Sequence, residues 1–391
     1  MRKLFSALFG FLATVLGTLI VLPRVNDTLW KLQLVLNEFP YVVSLLGVSA
    51  ALRPRRNPLA AAFGLWGAAL AFVPLTRIRH AISDMDEAMQ DGFGDYERHI
   101  SAAMKKRIAK SRLSLKNTAG ATYLKQRVAE QQDIPFLETP TRQLLLDVYR
   151  PLVPPGDGGT TYPAIIVIHG GSWTEGDKGS YFAWHNRYLA AQGYVVFDIQ
   201  YRFTRRDSAQ WPTQLEDVRE AIRWIKGHAQ TWNFDPERIA LIGRSAGGHL
   251  ALQAAYRATD GAEDTAVKAV IGIYAPINLR LTGARHNENV VALLAGTSYQ
   301  VPDAYADASP LDFARNDLPP TLLLHGYMDK LVGPVHSELL LNRLRSTNTP
   351  VALLRVPWGR HGFDALMNGL GAQLTQYYMD RFLAWSLYAQ K

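Results

Sequence analysis

The sequence after Glu130 predicts an α/β fold, in which helices cover both faces of a mainly parallel sheet. Short apolar runs alternate there with longer stretches whose apolar residues recur at helical spacing, a pattern typical of successive strand–helix units. One apolar run ends at Ile242 and leads through Gly243-Arg-Ser-Ala-Gly247 directly into an apolar helix. This strand, tight turn and helix place a serine at the apex of the turn. The chain has 391 residues, enough for such a domain and for a separate N-terminal region.

The first 76 residues contain three apolar segments that predict a transmembrane region. They are residues 4–22, 36–52 and 58–75. The first and third are long enough to cross the hydrocarbon core of a bilayer. A cleavable signal peptide is the alternative for the first, because Arg2 and Lys3 precede it, but no small-x-small cleavage site follows before Asn26. We therefore expect a multi-pass membrane protein whose N-terminal helices contact lipid.

The orientation in the membrane depends on charged residues beside these segments. Arg53-Pro-Arg-Arg56 is a compact basic turn between the second and third segments, and such turns tend to stay in the cytoplasm. Three spans would then place the rest of the chain outside the cytoplasm. Arg77 and Arg79 follow the last segment and weaken this bias, so the side of the membrane stays open.

Residues 77–129 are polar and mostly helical in character, with Ile78, Ile82, Met85 and Met89 at helical spacing. The pattern predicts a helical stalk or a lid; amphipathic contact with lipid is the alternative. The second half of this segment carries eight lysine and arginine residues. They form either a solvated helix face or a surface that contacts anionic lipid.

The composition narrows the classes of partner. A net charge of +8 could indicate nucleic-acid binding, but no matching fold motif accompanies it. The chain has no cysteine, so it has neither disulfides nor thiolate metal sites. No cluster of histidines and carboxylates has metal-ligand spacing, and no phosphate-binding glycine loop is present. We expect no metal and no cofactor.

The α/β domain is predicted to cover residues 130–391. Its strands are expected at residues 142–149, 164–168, 195–199, 239–242, 267–274, 321–325 and 351–356. Its helices are expected at residues 181–192 and 211–226, just after Ser245, and around Leu340 and Phe382. The run 164–168 is apolar throughout, as expected for a strand with helices on both faces. Residues 276–319 lack a strong period and are long for a connection, which predicts a small cap over the serine turn.

Ser245 is the predicted nucleophile. A serine at such an apex lies on strained backbone, so its hydroxyl projects clear of the sheet and can attack a carbonyl; a plain tight turn is the alternative. His169-Gly-Gly-Ser-Trp173 follows the strand that ends at residue 168. The amides of Gly170 and Gly171, together with that of Ala246, could converge on one oxyanion, although an ordinary glycine turn is possible there. His169 itself is expected to hold the loop.

Two further strands end in candidate catalytic groups. Asp329 follows the strand at 321–325, and His361 follows the strand at 351–356. In a parallel sheet both lie at the edge that carries Ser245. His361 is predicted to be the base, and Asp329 the acid that orients it. Asp364 is a rival acid, but it lies only three residues after His361 and could not easily hold that ring from behind.

With these segments in place, the chain from about Glu130 to Lys391 resembles an α/β-hydrolase. More narrowly, it is similar to the esterase and lipase group with an HGG oxyanion loop, which includes hormone-sensitive-lipase-like esterases and isoprenylcysteine methylesterases. The resemblance rests on His169-Gly-Gly-Ser-Trp173, Gly243-Arg-Ser-Ala-Gly-Gly-His249, His325-Gly-Tyr-Met-Asp329 and His361-Gly362. It implies a serine carboxylic ester hydrolase that acts through an acyl-enzyme on a small-molecule or lipid-like ester. An exopeptidase or amidase on the same fold and a non-catalytic binding domain are the alternatives.

The sequence departs from this group at two positions. Ser172 stands where many relatives carry a third glycine, and Arg244 stands where many carry an acidic residue. Arg244 could favour anionic substrates or pair with a nearby carboxylate. Trp173 and Tyr181 could line an apolar substrate pocket or belong to the core.

Overall fold

The computed structural model describes residues 2–23, 26–52, 57–118, 127–208, 210–258, 263–282 and 287–388. The predicted basic turn at positions 53–56 lies outside the described residues. An eight-stranded sheet forms the centre of the molecule, and four apolar helices precede it.

The sheet has the predicted mainly parallel arrangement. Its strands are β1 (Ala129–Glu138), β2 (Gln143–Arg150), β3 (Tyr162–Ile168), β4 (Val195–Ile199), β5 (Phe234–Arg244), β6 (Ala269–Ile273), β7 (Thr321–Gly326) and β8 (Val351–Val356). They lie in the order β1-β2-β4-β3-β5-β6-β7-β8. Strands β1 and β2 are antiparallel to their neighbours, and β4, β3 and β5 to β8 are all parallel. Strand β1 was not predicted from the sequence, and most of its residues are exposed.

The helices follow the alternation expected from the sequence. They are α1 (Arg2–Val21), α2 (Asp27–Glu38), α3 (Pro40–Ala51), α4 (Pro58–Thr76), α5 (Ile78–Phe93), α6 (Ala102–Arg107), α7 (Leu115–Thr118), α8 (Ala183–Gln192), α9 (Thr213–Gly227), α10 (Ala229–Trp232), α11 (Ala246–Arg257), α12 (Leu279–Thr282), α13 (Glu288–Leu294), α14 (Pro302–Asp307), α15 (Val335–Arg345) and α16 (Leu370–Tyr388). Helices α12 to α14 occupy the segment predicted as a cap.

Two apolar cores form, one on each face of the sheet. Successive residues of a strand point to opposite faces, so Ile165 and Ile166 of β3 belong to different cores. Helices α9, α11 and α15 cover one face, and α5, α8 and α16 cover the other. Burial on both faces explains why the central strands are apolar throughout.

Helix α5 lies on the sheet, where the sequence analysis expected a stalk or a lid. The side chains of Met85 and Met89 are fully buried in the second core. Gly92 lies so close to the backbone of Val351 in β8 that a Cβ atom at position 92 would overlap the Val351 carbonyl. The apolar stripe on α5 therefore contacts the sheet. Part of the basic surface is also paired, because Arg112 contacts Asp86 at 2.6 Å.

The N-terminal helices pack through small residues. Gly17 of α1 and Gly67 of α4 leave no space for side chains where the two helices cross. The second predicted span, residues 36–52, is not one straight helix, since α2 and α3 meet at an 81° bend. Pro40 begins α3 and has no N–H group to continue α2.

Within the described residues, one continuous helix, Pro58–Phe93, is long and apolar enough to cross a membrane. It comprises α4 and α5. A second candidate is obtained if the bent pair Thr28–Glu38 and Pro40–Ala51 is counted as one span, and Ser6–Val21 is a shorter apolar helix. Among the described residues the three expected spans are thus matched by one candidate, or by two if the bent pair is counted, and a multi-pass arrangement is not supported.

Polar contacts join these helices to the loop that follows β8. The Nδ2 group of Asn37 donates to the carbonyl of Trp358 at 3.2 Å. The Arg360 guanidinium, itself 1% exposed, donates to Asn37 Oδ1 at 3.1 Å and to the carbonyl of Leu22 at 2.6 Å. Arg360 is the neighbour of His361, so the end of α1 and helix α2 are bound to the loop that carries the predicted base.

Replacement of Asn37 should weaken this junction. In Asn37→Leu the buried Arg360 loses its side-chain acceptor, and we expect a loss of about 1–3 kcal/mol in the free energy of unfolding. Denaturant unfolding of the full chain in detergent measures the change. The exposed Lys31 on the same helix provides the control: Lys31→Ala should change stability by less than about 0.5 kcal/mol. Equal losses in the two variants would contradict the assigned contact.

Candidate active site

The serine turn joins β5 to α11 without an intervening loop. Ser245 lies between them with φ 53° and ψ −122°, a strained conformation for a residue with a side chain. The turn requires glycine two positions later, because a Cβ atom at Gly247 would overlap the carbonyl oxygens of Ile168 and His169. The residue pattern that predicted the sharp turn is therefore explained by the close approach of α11 to the end of β3.

Three side chains that are far apart in the sequence meet beside this turn. Ser245 Oγ lies 3.0 Å from His361 Nε2. His361 Nδ1 lies 2.7 Å from Asp329 Oδ2. Both distances are within the range of a hydrogen bond, as a nucleophile, its base and an orienting carboxylate require.

Asp329 is held ionised by its surroundings. Its Oδ1 accepts hydrogen bonds from the amides of Leu331 at 2.8 Å and Val332 at 3.0 Å. Burial by itself raises the pKa of Asp329, but His361 and His325 outweigh this effect and hold the pKa below its ordinary value. The carboxylate is therefore a permanent acceptor for the His361 ring.

The rival acid, Asp364, has different partners. Its Oδ2 accepts from Arg244 Nε at 2.7 Å, and its Oδ1 accepts from the hydroxyl of Tyr274 at 2.6 Å. All of these side chains are buried. The Arg244 guanidinium also lies 3.8 Å from the centre of the Phe182 ring. Of the two expectations for Arg244, the structure favours pairing with a carboxylate.

The glycine loop lies directly against the serine. A Cβ atom at Gly170 would lie 3.2 Å from Ser245 Cβ. Gly171 has φ 126°, and Ser172 follows with φ 52°. Within the described chain, the Gly170 and Gly171 amides donate to no other protein group. Ala246 is the first residue of α11, so its N–H has no acceptor within the helix.

His169 and Trp173 hold this loop from behind. The His169 ring stacks on Tyr201 with 4.5 Å between ring centres, and burial lowers the pKa of His169 to about 4. Trp173 is 3% exposed, and its Nε1 donates to His249 Nδ1 at 3.3 Å. These contacts favour the core role of Trp173 over a pocket role. Tyr181, in contrast, is 82% exposed.

Tyr274 was not among the residues predicted from the sequence. Its ring centre lies 4.6 Å from that of His361, and its hydroxyl donates to Asp364. Its backbone has φ 40°, which is unusual for a tyrosine. The available signal was its position at the carboxyl end of a predicted strand, at the same edge as Ser245. Among the described residues, no group of three or more His, Asp or Glu side chains could hold a metal ion.

Comparison with known proteins gives the family. Residues 146–344 match the BD-FAE family. The chain is also 32% identical over 382 residues to the probable carboxylic ester hydrolase LipM of Mycobacterium tuberculosis, a similarity that covers 91% of this chain and 86% of that protein. The chain belongs to the BD-FAE family. The predicted membership of the HGG-type esterase group is confirmed.

Other relatives of this BD-FAE protein carry esterase names. Esterase LipC of Mycobacterium tuberculosis is 32% identical over 254 residues, which cover 61% of this chain and 61% of that protein. The probable isoprenylcysteine alpha-carbonyl methylesterase ICMEL1 of Oryza sativa subsp. japonica is 27% identical, with coverage of 53% of this chain and 52% of that protein. The prediction that the chain is an enzyme of the carboxylic ester hydrolase class is confirmed by these relatives.

Solved structures agree on the fold. An esterase of Thermogutta terrifontis with butyrate bound superimposes with a TM-score of 0.53 at 23% identity, covering 68% of this chain and 95% of that chain. A truncated carbohydrate esterase from gut microbiota gives 0.52 at 24% identity, covering 71% and 97%. The α/β-hydrolase fold of this BD-FAE protein is confirmed.

Asp364 should contribute to stability through its buried ion pair. Asp364→Asn leaves the Arg244 charge buried without a counter-ion, for which we expect a loss of about 3–5 kcal/mol in the free energy of unfolding. Asp264→Asn, which removes a surface pair with Arg223, should cost less than about 1 kcal/mol. Denaturant unfolding of both variants tests this, and similar small losses in the two would refute a buried ionic role for Asp364.

Proposed function

We propose that this BD-FAE protein is a serine carboxylic ester hydrolase attached to a membrane. The observation that supports the serine mechanism is the unbroken hydrogen-bonded series from Ser245 Oγ through His361 to Asp329. A serine hydroxyl is a weak nucleophile until an adjacent base removes its proton, and the base needs a third group to fix its tautomer. Each of these three groups is present at hydrogen-bond distance.

Acylation begins when Ser245 Oγ attacks the carbonyl carbon of the ester and His361 Nε2 takes the hydroxyl proton. The His361 ring becomes positively charged, and Asp329, which is already ionised, stabilises that charge through Nδ1–H. The ester carbonyl oxygen becomes an oxyanion. When the tetrahedral intermediate collapses, His361 returns the proton to the departing alcohol oxygen, and the acyl group remains on Ser245.

The oxyanion is stabilised by backbone amides. Gly170 and Gly171 supply N–H groups from the loop, and Ala246 supplies one from the start of α11; removal of a single donor from such a site typically costs about 3 kcal/mol of transition-state stabilisation. Deacylation then repeats the sequence with water. His361 takes a proton from the water, the hydroxide attacks the acyl carbonyl, and Ser245 leaves with the proton that His361 returns.

An ester is the favoured substrate because the named relatives are esterases and carboxylic ester hydrolases. An exopeptidase or amidase on the same fold would use the same three side chains, but it has no comparable support among these relatives. A non-catalytic binding domain would not need a nucleophile, a base and an ionised carboxylate in contact.

Membrane attachment is supported by the surface of the N-terminal helices. Leu45, Leu59 and Trp66 are each more than 60% exposed, and they belong to α3 and α4. Exposed large apolar side chains recur along all four N-terminal helices, which is unfavourable in water and favourable in lipid. The similarity to LipM covers 91% of the chain and thus includes part of this region.

Removal of the nucleophile should abolish covalent labelling. We expect the full chain to react with a fluorophosphonate probe and to hydrolyse p-nitrophenyl esters, and we expect Ser245→Ala to prevent labelling and to lower turnover by about 10⁴-fold or more. Gel fluorescence and absorbance assays measure the two effects. Ser346→Ala, at an exposed position after α15, is the matched control and should behave as wild type. Labelling that survives Ser245→Ala contradicts the assignment.

The two carboxylates should separate in the same assays. Asp329→Asn offers His361 the wrong hydrogen-bonding partner, so we expect a loss in kcat of about 10⁴-fold. Asp364→Asn should lower kcat much less, because Asp364 does not contact the His361 imidazole nitrogens. A larger loss at position 364 would reassign the acid.

Membrane attachment should survive alkaline carbonate extraction, because helices embedded in lipid are not held by surface charge. We expect the full chain to remain in the membrane pellet, as detected by immunoblotting. A chain that lacks residues 1–76 should enter the supernatant instead. Release of the full chain into the supernatant would contradict membrane attachment.

A further inference from the structure

The exposed apolar side chains of the sheet domain are concentrated at one edge. Among the described residues after position 76, seven large apolar side chains are exposed: Leu152, Tyr181, Leu281, Tyr299, Tyr327, Leu331 and Val335. Six of them lie in the segments that follow the carboxyl ends of β3, β6 and β7. Leu152 is the exception, because it precedes β3 and lies toward the amino ends of the parallel strands.

The carboxyl ends of the parallel strands also carry the active site. Ser245 follows β5, Asp329 follows β7 and His361 follows β8. Single exposed apolar residues are ordinary on a protein surface, but a group at one edge marks an interaction surface. Leu331 and Val335 lie in the segment just after Asp329, so part of this surface adjoins the proposed active site.

The N-terminal helices are bound to the same edge. Arg360, next to His361, donates to the carbonyl of Leu22 at the end of α1 and to Asn37 in α2. Gly362, on the other side of His361, lies close to Leu34 of α2. The loop of the proposed catalytic histidine is thus one of the points at which the apolar helices join the domain.

The positions of the exposed apolar side chains and of the N-terminal helices together determine where lipid would lie. The N-terminal helices expose apolar side chains outward, and they join the domain at the edge that bears the exposed apolar group. A bilayer that surrounds the helices therefore adjoins the entrance to the active site. Leu152 lies toward the opposite edge, away from that bilayer.

We propose that the active-site entrance faces the bilayer and that the substrate is an ester with a long apolar chain, taken directly from the lipid phase. The proposal rests on the serine esterase function given above. Transfer of an apolar chain from lipid to water is unfavourable for every CH₂ group that becomes exposed to water. An entrance against the bilayer avoids this cost, because the chain stays in apolar surroundings while its carbonyl reaches Ser245.

The absence of native cysteine allows a direct test of orientation. The variants are Val335→Cys and Leu152→Cys; the native side chains are 45% and 65% exposed, respectively. Each variant carries the same environment-sensitive fluorophore in full-length protein reconstituted in phosphatidylcholine vesicles. We expect the label at position 335 to be quenched by doxyl-labelled lipid and protected from aqueous iodide, and the label at position 152 to behave in the opposite way. Equal quenching by iodide at the two positions overturns the proposed orientation.

Kinetics test the substrate class. The variant Leu281→Gln/Val335→Gln is compared with Leu152→Gln, using p-nitrophenyl palmitate in the vesicles and water-soluble p-nitrophenyl acetate. We expect the double variant to lose about tenfold in kcat/KM on palmitate while its rate on acetate stays within about twofold, and we expect Leu152→Gln to match wild type on both. Equal losses on both esters overturn the lipid-phase route.

The two proposals fail in different ways. If wild type hydrolyses neither ester and resists the fluorophosphonate probe, the serine esterase function is wrong and the substrate class is wrong with it. If wild type hydrolyses acetate but the palmitate rate is unaffected by the double variant, the esterase function stands and the inference about lipid is wrong.

Discussion

The left-handed backbone of Ser245 is the constraint on which the site depends. Strand β5 passes into α11 without a loop, so one residue must reverse the chain direction at φ 53°. The neighbouring positions require small residues because the chain segments are in close contact there: Gly247 lies against the end of β3, and Gly170 lies against Ser245 itself. The same tight packing holds the hydroxyl 3.0 Å from His361 and leaves the first amide of α11 without a helical acceptor. The proposed nucleophile and one of the proposed oxyanion donors, the Ala246 amide, therefore arise from one backbone geometry.

Two buried aspartates near His361, the proposed base, have different partners and therefore different roles. Asp329 receives two backbone amides and the His361 ring, so its charge is available to the base. Asp364 neutralises Arg244, the residue immediately before Ser245, and accepts a hydrogen bond from the Tyr274 hydroxyl. Tyr274 in turn packs on the His361 ring. A cation next to Ser245 is thus removed from the substrate's reach by a structural ion pair, and the aromatic ring limits the positions open to His361.

The N-terminal helices and the catalytic edge form one structural unit. Asn37, which is buried at the end of α2, contacts the backbone and side chains of the loop that carries His361. Helix α5 continues α4 and packs on β8, the strand that leads into the same loop. The apolar helices therefore contact the loop after β8 directly, and α5, which continues α4, packs along the same strand.

The sequence by itself determined the parallel α/β fold, the family and the order of the three candidate catalytic residues. These depend on local patterns: apolar periods, the glycines of a tight turn and the ends of strands. The tertiary structure decided the features that depend on residues distant in the chain. Asp364 pairs with Arg244, which lies 120 residues away in the sequence. Trp173 belongs to the core, where its Nε1 group donates a hydrogen bond to His249. Helix α5 has a stripe that suits a stalk, a lid or a core equally well, because an amphipathic period shows that a face is buried but not which surface buries it.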